Sequence, residues 1–298
     1  MLIQERGRGA IVMTVLMILT VATGCGSTST AAAPKPKRAR STTTSTSSTT
    51  PSTSTTLPTA STTTTTGAGP AGLGAVRGHV IVVDAGHNGG NGAHANDIAR
   101  SIFIGTQTRA CDTTGTETAT GYPEHAFTLD VALRTRDLLT AAGARVVMVR
   151  TDDAGWGPCI DERAAIGNRA HAEAGLSIHA DGGPHDGHGF HVNVPANIPG
   201  YTDDIYAASH NLGVALRDTY ASETWIAPST YIGSNGLVER RDFGGLNLSD
   251  VPKVLFETAN MQNPSDAALL ENSDVRQRIA HALAAGMARY FSSSPSRA

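Results

Sequence analysis

Short hydrophobic runs alternate with amphipathic segments along the chain from residue 75 onward. The runs rich in β-branched residues predict strands over His79–Val83, Arg145–Arg150, Leu176–His179, Gly189–Val194 and Lys253–Glu257. Apolar residues at helical spacing predict helices over Glu124–Ala142, Cys159–Ala174, Thr202–Tyr220 and Asp274–Phe291. Strands and helices that alternate in this way predict an α/β fold, a single three-layer domain with a mostly parallel twisted sheet and helices on both faces.

Four of these segments present an ionisable residue where an element begins or ends. His87 follows the run VIVVDAG, His179 follows LSI, Glu257 follows VLF, and Glu124 opens a predicted helix. Ligands of open α/β sheets bind beyond the carboxyl ends of the strands, so we expect these side chains to meet there. Two histidines and one carboxylate form a zinc site with one coordination position left for water. A second carboxylate can then move the proton of that water, which predicts a hydrolase with one Zn²⁺ per chain.

Other interpretations of these polar residues remain open from the pattern alone. Glu124 could cap its helix, because the helix dipole favours a negative charge in the first turn. Glu117 lies in the same loop and is a rival metal ligand. A second histidine cluster lies in a segment that we interpret as a glycine-rich loop entering a strand, rather than as another metal site: His185, His188 and His191.

The first 25 residues have the features of an export signal. Arg6 and Arg8 precede an apolar core over residues 11–22, which is too short to span a bilayer comfortably. The following Ala-Thr-Gly-Cys resembles a bacterial lipobox, which predicts lipidation of Cys25 and anchoring at the outer face of the cytoplasmic membrane. An ordinary secretory signal that happens to contain a cysteine is the alternative. Both interpretations place the mature chain outside the cytoplasm.

Residues 26–74 are predicted to form a disordered stalk before the globular domain. Ser and Thr dominate residues 41–66, and such a segment has too few apolar groups to offset the entropy of ordering its backbone. The stalk is also a candidate for O-glycosylation, or it serves only as a spacer. The catalytic domain is predicted over residues 75–293, with a disordered tail over residues 294–298.

The charge of the chain bears on its binding partners, and its cysteine content bears on disulfide formation. The formal net charge is −3, and basic residues do not cluster inside the globular part, so we expect no nucleic-acid partner. Cys111 and Cys159 are the two cysteines beyond the lipobox. In an exported protein two such cysteines most often pair, which predicts a disulfide. A monomer is the default expectation.

Several strings together resemble the zinc-dependent N-acetylmuramoyl-L-alanine amidases of the type 3 family. They are VIVVDAGH, EHAFTLDVALRTRDLLTAAGARVVMVRTDD, DERAAIGNRAHAEAGLSIHAD and VPKVLFETANMQNPSDAALLENSDVRQRIAHALAAGMARYF, which cover essentially the whole globular domain. The resemblance implies hydrolysis of the amide between N-acetylmuramic acid and L-alanine, with peptidoglycan or muropeptides as substrate. It makes His87, Glu124 and His179 the metal ligands and Glu257 the general acid and base.

Some positions depart from the family pattern or support the site less directly. Asp84 is expected to orient a ligand histidine or to brace the turn, and Asp181, where the family commonly has asparagine, could do the same for His179. Arg163 and Asn168 are expected to be structural. The long Gly- and Thr-rich segment over residues 88–123 is expected to form a loop near the cleft, and TANMQN after Glu257 differs from many relatives.

Two other functions compete with the amidase. A zinc carboxypeptidase acting on wall peptides could use the same metal chemistry. A catalytically silent, peptidoglycan-binding lipoprotein would be expected to lack a ligand or the second glutamate, and all four residues are present.

Overall fold

The computed structural model describes residues 72–293. Its strands, in chain order, are β1 (Val80–Ala85), β2 (Ser101–Phe103), β3 (Thr108–Ala110), β4 (Arg145–Met148), β5 (Ala174–Asp181), β6 (His191–Pro195), β7 (Leu237–Arg240) and β8 (Lys253–Asn260). Six of them form one sheet in the order β4-β1-β5-β8-β6-β7, while β2 and β3 pair as a separate antiparallel ribbon. Within the large sheet only β6 and β8 pair antiparallel, so the sheet is mostly parallel, as the sequence predicts.

Helices cover both faces of this sheet. They are α1 (Ala95–Ile98), α2 (Glu124–Ala141), α3 (Ile160–Arg169), α4 (Tyr206–Thr224), α5 (Gly244–Asn247), α6 (Pro264–Glu271) and α7 (Ser273–Ser293), with 3-10 turns at Gly74–Val76 and Gly89–His94. The long helices α2 and α4 pack on the sheet, and α7 packs against both of them. Helix α3 packs against β1, and the three-layer architecture predicted from the alternating pattern is confirmed.

Strand β1 shows why its sequence is an unbroken apolar run. Ile81 and Val83 belong to the large core cluster under α2 and α7, whereas Val82 belongs to a second cluster with Ile166 of α3. Successive side chains of a strand point to opposite faces, and here both faces are covered by helices. The carboxyl end of this buried strand therefore holds its turn in a fixed position, directly before His87.

Several element boundaries differ from those predicted. The helix expected to reach Ala174 ends at Arg169, because His171 adopts a left-handed φ of 49° and β5 already begins at Ala174. Leu73 is buried in the core, so packed structure begins before the predicted boundary at residue 75. The export signal, the lipidation site Cys25, most of the stalk and the C-terminal tail lie outside the described residues. No helix within residues 72–293 is both long and apolar enough to cross a membrane.

Candidate metal centre

Three predicted ligands from separate parts of the chain converge at the edge of the sheet where β1 and β5 end. One donor atom from each of His87, Glu124 and His179 lies within 4.8 Å of the others. His87 Nε2 is 3.2 Å from Oε2 of Glu124, and His179 Nδ1 is 2.9 Å from its Oε1. The two imidazoles thus point at the two oxygens of one carboxylate. Glu117, the rival ligand, is not a member of this group.

The position of Glu124 follows from the way its helix begins. Pro123 is extended and precedes the first turn of α2, and the backbone N–H of Glu124 donates to Thr116 O at 2.8 Å. The carboxylate accepts hydrogen bonds from the backbone N–H groups of Thr116 and Ala180, at 3.1 and 3.2 Å. Because those donors belong to the preceding loop and to β5, Glu124 does not act as a cap of its own helix. Its side chain is buried between the elements that it joins.

Two glycines allow the ligands to approach each other. A Cβ atom placed on Gly86 would lie 2.2 Å from Cε1 of His179, a distance that no side chain could tolerate. A Cβ atom on Gly115 would lie 2.7 Å from Glu124 Oε2 and 2.9 Å from His87 Cδ2, and Gly115 also has a left-handed φ of +77°. The backbone of the turn and of the loop therefore forms the walls of the site.

The other ring nitrogen of His87 faces hydrogen-bond acceptors. His87 Nδ1 lies 3.2 Å from Asp112 Oδ1 and 3.0 Å from Thr113 O. A carbonyl oxygen can only accept, so these contacts place the ring proton on Nδ1 and leave Nε2 as the nitrogen available to a metal.

Glu257 stands next to this cluster on the neighbouring strand β8. Its register partner in β5 is His179, so the two side chains leave the sheet on the same face. Glu257 Oε2 is buried and has no hydrogen-bond partner among the described residues. Burial, together with the charges of Glu124 and Asp181, raises the pKa of Glu257 well above its usual range. A buried carboxyl oxygen without a protein partner is suited to face a ligand or a reacting group.

The residues fit a divalent cation. Burial raises the pKa of Glu124, but the neighbouring imidazoles of His87 and His179 outweigh burial and hold that pKa below its usual range. The site therefore contains an ionised carboxylate between two imidazole nitrogens. Two nitrogen donors and one oxygen donor match the three protein ligands of catalytic zinc sites.

The two aspartates predicted to support the site have other partners. Asp84 accepts hydrogen bonds from Arg163, Lys253 and Ser177 at 2.7, 3.0 and 3.1 Å. The same arginine donates to Ala85 O, so Arg163 links Asp84 to the turn before His87. Asp181 accepts a hydrogen bond of 2.8 Å from the hydroxyl of Tyr231, and its carboxylate makes no described contact with His179.

The remaining predicted residues are distributed as follows. Cys111 and Cys159 form a disulfide, as predicted. Asn168 donates to Leu248 O and accepts from Asp250 N, which is a structural role. His185 Nδ1 lies 2.9 Å from Gln262 O. His191, the register partner of Glu257 in β6, is buried, and burial lowers its pKa to about 4.

Several residues that support the site are absent from the sequence-based prediction. Buried Arg150 donates to the carbonyl groups of Ala85, Gly86 and His125, which ties the turn before His87 to the start of α2. Arg150 directly follows an apolar run in the sequence, as His179 and Glu257 do, so the same sequence signal could have identified it. Lys253 and Tyr231 show no comparable pattern.

Comparisons with known proteins agree with the geometry. The model of the family Amidase_3, N-acetylmuramoyl-L-alanine amidase, matches residues 81–289. The curated relative N-acetylmuramoyl-L-alanine amidase Rv3717 of Mycobacterium tuberculosis is 42% identical over 217 residues, which cover 72% of this chain and 88% of the relative.

Solved structures extend this likeness to the fold. The amidase Ami1 of Mycobacterium smegmatis is 43% identical with a TM-score of 0.69, and the match covers 74% of this chain and 99% of that one. AmiC2 of Nostoc punctiforme, at 23% identity and a TM-score of 0.54 over 72% of this chain and 97% of its own, shares the fold. The chain therefore belongs to the Amidase_3 family and is an N-acetylmuramoyl-L-alanine amidase.

Proposed function

We propose that the chain is a zinc-dependent peptidoglycan hydrolase that cleaves the amide between N-acetylmuramic acid and the L-alanine of the stem peptide. The observation that carries this proposal is the convergence of His87, Glu124 and His179 beside the unpartnered carboxyl oxygen of Glu257. Family membership gives the class of bond, and the arrangement of these four residues supports metal-assisted hydrolysis of that bond.

His87, Glu124 and His179 would hold the ion, with one zinc per chain. A bound zinc ion supplies Lewis acidity, which makes water a better nucleophile and polarises a carbonyl group. The backbone N–H groups of Thr116 and Ala180 hold the Glu124 carboxylate by hydrogen bonds, and the two glycines leave room for the imidazoles beside it. The protein therefore contributes a preorganised site, which reduces the ordering that binding requires.

Glu257 acts as the general acid and base in this proposal. Its carboxylate accepts a proton from the attacking water and then delivers that proton to the departing alanine nitrogen. Burial and the charges of Glu124 and Asp181 raise the pKa of Glu257, which favours a carboxyl group that can hold the proton between its two transfers. No other carboxylate is expected to replace it: Asp181 is engaged by Tyr231, and Glu124 by the two histidines.

The proposed place of action is the cell envelope, outside the cytoplasm. Residues 1–25 are proposed to direct export, Cys25 to accept a lipid, and the Ser- and Thr-rich stalk to connect the membrane to the catalytic domain. The Cys111–Cys159 disulfide is consistent with an oxidising compartment. One relative, 27% identical, is named "Probable cell wall amidase LytH" in Staphylococcus aureus. Cys25→Ser should release the full chain from the membrane fraction.

Digestion of purified muropeptides tests the activity. Mass spectrometry should show glycan separated from an intact stem peptide, and a zinc chelator should abolish this reaction while added zinc restores it. A carboxypeptidase would instead release a terminal amino acid. Binding without any new product would support the silent lipoprotein. Glu257→Gln, with its zinc content measured in parallel, is the matched inactive control.

A further inference from the structure

We infer that Asp112 is a positioning residue for the metal ligand His87, and that the Cys111–Cys159 disulfide holds Asp112 in its place. This inference rests on the zinc site of the proposed function. It concerns how tightly the site binds metal, and it is independent of which substrate bond the enzyme cleaves.

His87 needs external support because of its backbone conformation. Its φ of 56° lies in the left-handed region, which residues other than glycine adopt infrequently. The carbonyl oxygen of His87 accepts a hydrogen bond of 2.9 Å from Nη2 of Arg163. Asp112 Oδ1 and Thr113 O contact the imidazole Nδ1 from the other side. Both the backbone and the ring of this ligand are thus fixed by residues outside its own turn.

Asp112 and Arg163 are also bonded to each other. Arg163 Nη2 lies 2.9 Å from Asp112 Oδ2, and both side chains are buried. The three residues His87, Asp112 and Arg163 therefore form a closed ring of contacts. The second oxygen of Asp112, Oδ1, additionally accepts from the N–H of Thr113 at 2.7 Å, which fixes the loop that follows.

The disulfide connects the two segments that contribute these supports. Cys111 directly precedes Asp112, and Cys159 stands at the start of α3, where its carbonyl accepts from the N–H of Arg163 at 2.9 Å. The backbone N–H of Ile160 also donates to Cys111 O at 2.8 Å. The disulfide thus joins the segment that carries Asp112 to the segment that carries Arg163, next to the contacts that these two residues make with His87.

The contacts with Asp112 determine which ring nitrogen of His87 is available to a metal. An acceptor at Nδ1 keeps the ring proton there and makes Nε2 the stronger metal donor. Removing such a partner in other metal sites lowers metal affinity by about 10–100-fold. We expect a loss of that size for Asp112→Ala. Asp112→Asn should lose less affinity, since its side-chain oxygen can still accept from Thr113 N–H and from His87.

Zinc affinity of the full chain, prepared metal-free and measured by competition with a chromophoric chelator, tests the inference without relying on activity. Glu173→Gln is the matched control, because Glu173 also contacts a histidine Nδ1, that of His79 at 2.9 Å, away from the metal ligands. Its zinc affinity should equal that of the wild type. A smaller loss of zinc affinity in Asp112→Asn than in Asp112→Ala would show that hydrogen bonds of this side chain position His87. Thermal unfolding of the metal-free proteins checks that each variant is folded.

The disulfide is tested with Cys111→Ser/Cys159→Ser. This variant should lose zinc affinity in the same direction as Asp112→Ala, and adding Asp112→Ala to it should cause little further loss, since both changes act on one contact. Fully additive losses would overturn the assignment to the disulfide. Wild-type affinity in Asp112→Ala, or in Asp112→Leu if the alanine variant does not fold, would overturn the inference alone, because neither side chain can accept a hydrogen bond from His87. A wild-type chain that binds no zinc would overturn the proposed function as well.

Discussion

Glu257 is the register partner of His179 in the parallel pairing of β8 with β5. Adjacent strands are about 4.8 Å apart, so this pairing sets the separation between a predicted metal ligand and the predicted proton carrier. The geometry of the pair is therefore fixed by the hydrogen bonds of the sheet. Neither residue depends on a mobile loop for its position.

Replacement of Glu257 should separate metal binding from turnover. Glu257→Gln preserves size and removes the charge, so zinc content should stay at one per chain while kcat falls about 10²- to 10⁴-fold, the usual contribution of general acid–base catalysis. Metal analysis and steady-state kinetics on muropeptides check both parts. Glu239→Gln, on β7, should leave kcat unchanged. Normal turnover by Glu257→Gln would remove this residue from the mechanism.

Replacement of Glu124 should weaken zinc binding, whereas replacement of Glu257 should leave it unchanged. Glu124→Ala removes the carboxylate that both imidazoles contact, so the variant should retain little zinc after dialysis and should not be reactivated by added zinc. Wild-type protein treated with a chelator should recover on zinc addition. If Glu124→Ala binds zinc as tightly as the wild type, the ligand set is wrong.

Gly86→Ala tests the close approach at the turn. The new methyl group would overlap the His179 ring, with its nearest atom at 2.2 Å, so the imidazole must move and zinc affinity should fall at least tenfold. Gly92→Ala is the matched control, because a Cβ there meets no atom within 4 Å. Calorimetric zinc titration of both variants compares them. Equal affinity would mean that His179 tolerates displacement.

Asp84 should make stability depend on pH in the acid range. Burial raises its pKa, but the charges of Lys253 and Arg163 outweigh burial and lower that pKa below its usual range. A carboxyl with a lowered folded-state pKa stabilises the fold above its unfolded pKa of about 3.9, and this stabilisation is lost as the pH falls below that value. Urea unfolding between pH 7 and pH 3 should show the loss.

Asp84→Asn should flatten this pH dependence and lower the free energy of unfolding at pH 7. Two buried cations then lose a charged partner, which typically destabilises a protein by about 3–5 kcal/mol. Asp137→Asn, at an exposed position on α2, should change stability by no more than about 0.5 kcal/mol. If the free energy of unfolding of Asp84→Asn falls with pH in the acid range as steeply as that of the wild type, Asp84 is not the source of this dependence.

Much of this architecture follows from local patterns. Unbroken apolar runs identify β1, β5 and β8, and the ionisable residues that follow those runs in the sequence identify His87, His179 and Glu257. Glu124 could be assigned only by family resemblance, because a helix-capping role fits the same local sequence. Asp112, which contacts the ring of His87, lies in an irregular segment without periodicity. The contact joins residues that are 25 positions apart in the sequence, and no local pattern predicts it. The partner of Asp181, Tyr231, is likewise fixed by long-range packing.

The antiparallel pairing of β6 with β8 brings the beginning of β6 to the same edge as the ends of the parallel strands. The segment over residues 182–190, which enters β6, therefore borders the metal centre without contributing a ligand to it. The segment is a connection outside the paired strands, whereas His179 and Glu257 are held by the pairing of β5 with β8. A change in that segment can therefore alter access to the cleft while the functional groups on β5 and β8 keep their places.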